Sequence, residues 1–321
     1  MSVRTVGTTS SRATMLVVAS VALQEGGAAL AVGLFAWVGP TGAVLLRFAG
    51  AGLILTLLVR PRLRGLSPAQ WKAVTALTAS LTVMNFCFYQ AVSRVPLGLV
   101  VTVEILGPLI LSVVVGRRWM SWLWAGLSLV GVTILGASGW GGHADYVGFA
   151  FAAVAAASWA CYILAGARAA PMFAPMDALA LASCLGAVAL APMAVIAGGG
   201  TLTLNWAVVG LGLAVALTCS VLPYSFELLA LRSLPSHAFA VLTSLSPVVA
   251  AISGWLLLDQ RLGGADWVAI GCVTAASVGA VQCGRRKIRP KSAPSPRRPT
   301  RVSAAGIDTP AHPDRLCTCR Q

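Results

Sequence analysis

The 22 residues VPLGLVVTVEILGPLILSVVVG, Val95 to Gly116, hold one charged side chain, Glu104, in a run of otherwise uncharged and mostly aliphatic residues. A run of about 20 apolar residues is long enough to cross a bilayer core as a helix. A carboxylate inside such a helix is expensive to insert, so it faces the interior of a helix bundle and marks a site.

The rest of the chain supports the membrane reading. Of 321 residues, 58% are hydrophobic and 10% charged, whereas soluble domains carry about 25% charge. Apolar runs recur at residues 14–36, 41–59, 70–92, 96–115, 119–137, 145–165, 177–197, 205–229, 235–258 and 265–284. They predict an all-α integral membrane protein of ten transmembrane helices joined by short loops. The first run follows Arg4 and Arg12 as a secretory signal would, but it is too long for one and nine more runs follow it.

Internal similarity organises the ten. SRVPLGLVVTVEILGPLI (93–110) and RSLPSHAFAVLTSLSPVV (232–249) share a frame in which Pro96 and Pro108, and Pro235 and Pro247, stand twelve residues apart. WLWAGLSLVG (122–131) likewise parallels WVAIGCVTAA (267–276). The chain is expected to be a short N-terminal segment (1–13), two five-helix repeats (14–138 and 145–284) and a tail (285–321). Because five is odd, the second repeat enters the membrane inverted, the plan of many secondary transporters with a site at the midplane.

A helical proline gives no N–H to the carbonyl four residues back. Pro108 therefore frees the carbonyl of Glu104, and Pro247 frees that of Thr243. Such backbone is tolerated at membrane depth only against protein or a wet cavity.

Charge placement gives the orientation. The formal charge of +14 includes ten Lys/Arg between Arg285 and Arg320, in a Pro/Ser/Arg-rich stretch without apolar periodicity that predicts a disordered tail and contact with anionic lipid rather than nucleic acid. With the N-terminus inside, Arg60, Arg62, Arg64, Lys72, Arg117, Arg118, Arg168 and Arg232 lie at the cytoplasmic side, against only Arg94 and Arg261 outside. Positive-inside counting thus places both termini in the cytoplasm.

Four ionisable residues fall within the runs away from their ends: Glu25, Arg47, Glu104 and Glu227. Glu104 reads as a substrate or proton site, with a structural, hydrogen-bonded carboxyl as the alternative. Arg47 pairs with a carboxylate or holds a substrate carboxyl, or else snorkels toward its helix end. Glu227, after Pro223 and Tyr224, serves the cavity or sits at the interface. Glu25, beside Gly26 and Gly27, faces the cavity or joins helices. Asn85 and Tyr89 in the third run and Trp159 and Tyr162 in the sixth add polar and aromatic walls that suit an organic solute, or packing.

Other chemistries fit poorly. Six of eight cysteines lie in or at the end of apolar runs, and the Cys317-x-Cys319 pair has no nearby His or Cys to complete a metal site. GASG (136–139) matches an intramembrane protease pattern, yet Ser138 and His237 fall at opposite ends of their runs. No phosphate-cradling G-x-x-x-x-G-K-[ST] loop is present. Neither enzymatic activity, a metal nor a cofactor is expected.

GGAALAVGLF (26–35), MNFCFY (84–89), VPLGLVVTVEILGPL (95–109), SWACYILAGARA (158–169) and LPYSFELLAL (222–231) carry a resemblance across residues 14–284. The chain resembles the EamA type of the drug/metabolite transporter (DMT) superfamily, and within it the threonine/homoserine exporter branch. The resemblance implies ten helices around a central cavity and proton-coupled export of small amino acids or related metabolites across the bacterial inner membrane. Glu104, Asn85, Tyr89, Trp159, Tyr162, Tyr224 and Glu227 occupy matching positions. Val32 stands where that branch often has lysine, Ser246 where it has glutamate, and Gln260 where an acidic residue follows the ninth helix. An exporter of hydrophobic drugs is the rival within transport, and a membrane scaffold or receptor the rival outside it.

Overall fold

The computed structural model describes residues 4–61, 65–116, 123, 124, 126–128, 130, 131, 134, 145–174, 176–197, 205–231, 233, 234 and 236–285, all within one contact unit spanning residues 1–287. Most of the fifth expected span, Arg232, and the basic tail beyond 285 lie outside the described residues.

Every regular element described is helical: α1 (Arg4–Val32), α2 (Phe35–Val59), α3 (Pro68–Val92), α4 (Leu97–Glu104), α5 (Leu106–Gly116), α6 (Tyr146–Ala169), α7 (Asp177–Ala197), α8 (Trp206–Ala216), α9 (Leu222–Leu231), α10 (Ser236–Thr243), α11 (Ser246–Leu258) and α12 (Gly264–Arg285). A π-helical turn, Leu217–Val221, joins α8 to α9. Six stretches, Arg12–Val32, Phe35–Val59, Tyr146–Met172, Asp177–Ala197, Trp206–Leu231 and Ala238–Leu258, are long and apolar enough to cross a membrane. Large apolar side chains such as Leu57, Leu58, Val188, Ile196, Trp255 and Leu256 are exposed around them. Such a surface belongs in hydrocarbon, and the molecule is an integral membrane protein.

The remaining expected spans differ for physical reasons. α3 has the length but carries Gln70, Lys72, Asn85 and Gln90. The apolar stretches Leu97–Leu111 and Gly264–Gly279 are shorter. α1 begins ten residues before the first expected span, because nothing in residues 4–13 breaks a helix.

Helix ends follow local chemistry. Ser67 and Gln70 form a capping box ahead of Pro68, which opens α3. Asp145 caps α6 by accepting from the Gly148 N–H at 2.8 Å, and Asn205 caps α8 through Val208 N–H at 2.8 Å. α2 closes on Arg60 in the left-handed region, its N–H donating to the Thr56 carbonyl. Near its start α2 kinks at Gly39 (φ +67°), where glycine bears no Cβ penalty, just before Pro40.

The two proline-disrupted spans break where the missing N–H requires. α4 ends at Glu104 and α5 starts at Leu106, while α10 ends at Thr243 and α11 starts at Ser246. The breaks thus follow the residues four before Pro108 and Pro247.

Small residues bring the helices together, as is common where lipid offers no hydrophobic drive between them. α1 packs on α9 and α11, α2 on α7, α3 on α6 and α4 on α11. At the α4/α11 crossing a Cβ on Gly98 would sit 2.7 Å from Ala251 Cα and 3.1 Å from its backbone N. Gly98→Val should therefore cost about 1–3 kcal/mol through overpacking. Thermal unfolding in detergent should show it, with Gly210→Ala, where nothing lies within 4 Å, as the unaffected control.

Candidate functional site

Arg47 is only 9% exposed, so it does not snorkel; it turns into the bundle from the middle of α2. Its Nε–H donates to Ser220 Oγ at 3.2 Å and its Nη2 to the Cys219 carbonyl at 2.9 Å. Both partners lie in the π-helical turn. A π-turn shifts the backbone register by one residue and is frequent at functional sites; here it holds a guanidinium. Two of the five guanidinium N–H groups are committed in this way, leaving three for other partners.

Around the guanidinium stand two phenols, Tyr89 and Tyr224, and two carboxyls. Arg47 Cζ lies 5.9 Å from the Tyr89 ring centroid. The buried Tyr89 hydroxyl is near both the Arg47 guanidinium and the Cys219 thiol, yet it meets hydrogen-bond geometry with neither. Phe35 braces the same ring at 5.8 Å between centroids. Glu104, at the end of α4, and Glu25, in α1, are both buried and both feel the Arg47 charge. Among the described residues no ion pair within 4 Å joins Arg47 to either of them.

Glu25 supplies what the second helix break lacks. Its neighbours include Ser246, at the start of α11, and Glu104. The break after Glu104 has its own carboxyl, whereas the break after Thr243 borrows one from α1. Thr243 itself donates back to the Phe239 and Ala240 carbonyls at 3.3 and 3.1 Å, and the Asn85 amide donates to the Leu81 carbonyl at 2.8 Å. These two polar groups are engaged with their own helices.

A second group forms farther along α9. Glu227 accepts from the Ser20 hydroxyl at 2.9 Å, and the Tyr162 and Tyr224 hydroxyls stand 3.5 Å apart. Trp159, half-buried, lies one helical turn from Tyr162 in α6. The expected residues therefore gather around Arg47 and around Glu227, with Tyr224 between the two and feeling both charges.

Several contributors were not singled out from the sequence. Ser20 and Ser220 are small hydroxyl residues in apolar runs, and the π-turn has no sequence signature. Gln260, noted only as a departure from an acidic position, accepts from the Leu97 N–H at 3.0 Å and so caps α4 from beyond the end of α11. That bond spans 163 residues, and local pattern carries no sign of it.

A bundle of membrane-crossing helices with broken segments and charges buried at the breaks is the architecture of a solute transporter. The chain belongs to the EamA-like transporter family, whose family model matches residues 146–282. It is 36% identical over 278 residues to the threonine/homoserine exporter RhtA of Escherichia coli (strain K12), covering 86% of this chain and 93% of that one. The threonine/homoserine exporter RhtA of Salmonella typhimurium (strain LT2) is 36% identical over 274 residues, covering 85% and 92%. A solved crystal structure shares the fold, with a TM-score of 0.58 at 19% identity over 87% of this chain and 99% of that one. The protein is a transporter and not an enzyme.

Proposed function

We propose that the protein exports small amino acids of the threonine and homoserine type across the bacterial inner membrane, by proton-coupled alternating access of a central cavity. The carrying observation is the Arg47 cluster: spare guanidinium donors and an unpartnered phenol beside two buried carboxyls. An α-amino acid presents a carboxylate and an ammonium on one carbon. Arg47 and Tyr89 suit the first, by charge-assisted donation from the guanidinium N–H groups and donation from the phenol O–H, and Glu104 with Glu25 suits the second. Asn85, Trp159 and Thr243 line the approach, and the helix breaks set by Pro108 and Pro247 let the two sides reorganise.

The same reading includes ten helices in two inverted repeats, 14–138 and 145–284, with both termini cytoplasmic and the basic tail against anionic lipid. The family match over residues 146–282 agrees with the second of these repeats, and the paired breaks after Glu104 and Thr243 suit an inverted relation between them.

Flux from proteoliposomes loaded with threonine or homoserine, under an imposed pH gradient, tests the proposal. Efflux that responds to the gradient and is competed by either amino acid is the expected result. Flux of cationic dyes with none of amino acids would move the assignment to drug export, and no flux of any solute would favour a scaffold.

A further inference from the structure

Glu227 is anchored farther along the bundle than Arg47, with Tyr224 between them feeling both charges. Ser220, which holds Arg47, and Glu227 are seven residues apart on one helical path, which is about 10 Å along the axis. Ser20 is likewise five residues before Glu25 on α1, about 7.5 Å. Both offsets run toward the end of the bundle that carries the start of α1 and the end of α9. The anchors of the two groups are thus offset by about two turns along α9 and by about one to two along α1, which makes them successive points on one path.

The Glu227 cluster has a composition of its own. One carboxylate oxygen accepts from Ser20 at 2.9 Å, and the same hydroxyl lies 3.3 Å from the Pro223 carbonyl. Tyr162 feels the carboxylate's charge, and Tyr224, its hydroxyl 3.5 Å from that of Tyr162, feels both the carboxylate and Arg47. Glu227 forms no ion pair within 4 Å among the described residues. A half-buried carboxylate beside two phenols and a hydroxyl suits a primary ammonium, which donates hydrogen bonds to the carboxylate and gains cation–π attraction from the rings. One turn beyond Ser20 and Glu227, Ala13, Val17, Ala230 and Leu234 form a small apolar cluster separate from the main core. The carboxylate therefore sits between an apolar closure and the Arg47 site.

We propose that Glu227, held by Ser20 and flanked by Tyr162 and Tyr224, is a loading subsite that captures the ammonium group of the transported amino acid before it reaches Arg47. The apolar cluster at Val17 and Ala230 is the seal that opens to admit it. This subsite rests on the amino-acid exporter reading and adds a second, earlier station to it.

Inside-out membrane vesicles, which present the cytoplasmic face to the medium, allow threonine uptake to be measured against its concentration. Glu227→Gln should raise KM about tenfold or more while leaving the maximal rate within about twofold, as loss of a charged hydrogen bond predicts. Glu227→Asp should recover most of the affinity, and Ser20→Ala should raise KM about threefold. A primary amine without a carboxylate, 1-amino-2-propanol, should inhibit wild type and lose most of that inhibition in Glu227→Gln. If Glu227→Gln inserts poorly, Tyr162→Phe and Ser20→Ala, which preserve every formal charge, carry the same KM and amine readouts. Unchanged KM and unchanged amine inhibition in vesicles whose wild type transports threonine would overturn the subsite alone. Wild-type vesicles that move no amino acid would overturn the exporter reading, and the subsite with it.

Discussion

Arg47→Met should lower kcat/KM for threonine export by about 100-fold, mostly through KM, while the protein remains in the membrane at wild-type level. The size follows from the bonds removed. A charge-assisted hydrogen bond in a buried site contributes about 1.5–3 kcal/mol, and 1.4 kcal/mol is tenfold in affinity. The expected loss is that of one or two such bonds to the substrate carboxylate. Methionine fills similar volume without charge, so Ser220 Oγ and the Cys219 carbonyl lose a partner while the packing of α2 on the π-turn is kept. Arg47→Lys is the sharper variant. Lysine keeps the charge but carries three N–H donors on one atom in place of the five-donor fork, so bridging Ser220 and Cys219 leaves at most one for substrate, and it should lose nearly as much as methionine. Ser220→Ala removes one anchor and leaves the 2.9 Å bond to Cys219, and should cost only about threefold. Initial efflux rates against internal threonine concentration read all three. Wild-type KM in Arg47→Met would remove Arg47 from the substrate site.

Much of this was legible before the fold was in hand, and the reason is the cost of polarity in lipid. Glu25, Arg47 and Glu104 each stand out in an apolar run, and all three are buried in the bundle. Pro108 and Pro247 told where their helices would open, since a missing N–H acts on a fixed neighbour four residues back. What stayed hidden was pairing across the chain. Whether Arg47 met a carboxylate or snorkelled depended on the π-turn at Leu217–Val221, which local sequence does not encode. Glu25 faces Ser246 across more than two hundred residues, and Gln260 caps α4 over a comparable distance. Whether Glu227 serves the cavity or the interface, and Tyr162 a wall or packing, is open in the sequence for the same reason, since position along a helix bundle is not visible in a set of polar residues.

Glu104→Gln should abolish the response of export to a pH gradient while leaving exchange of internal for external threonine. Glutamine keeps the shape and one acceptor oxygen of the glutamate but holds no exchangeable carboxyl proton. Exchange needs only a cavity that turns with substrate bound, whereas gradient-driven export also needs a proton carried through the cycle. Two carboxyls share this environment with Arg47, and interacting groups bind protons as a pair rather than singly. Glu25→Gln is therefore the necessary companion. If the proton belongs to Glu104, at the α4 break, Glu25→Gln should retain at least half of the gradient response; if it belongs to the pair, either change alone should remove it. Both results keep the proton in the cluster, and the ratio of gradient-driven efflux to exchange in the two variants tells them apart. A Glu104→Gln protein whose efflux still follows the imposed gradient as wild type does would show that proton coupling, if present, runs through another group, and would leave Glu104 a structural carboxyl at the helix break.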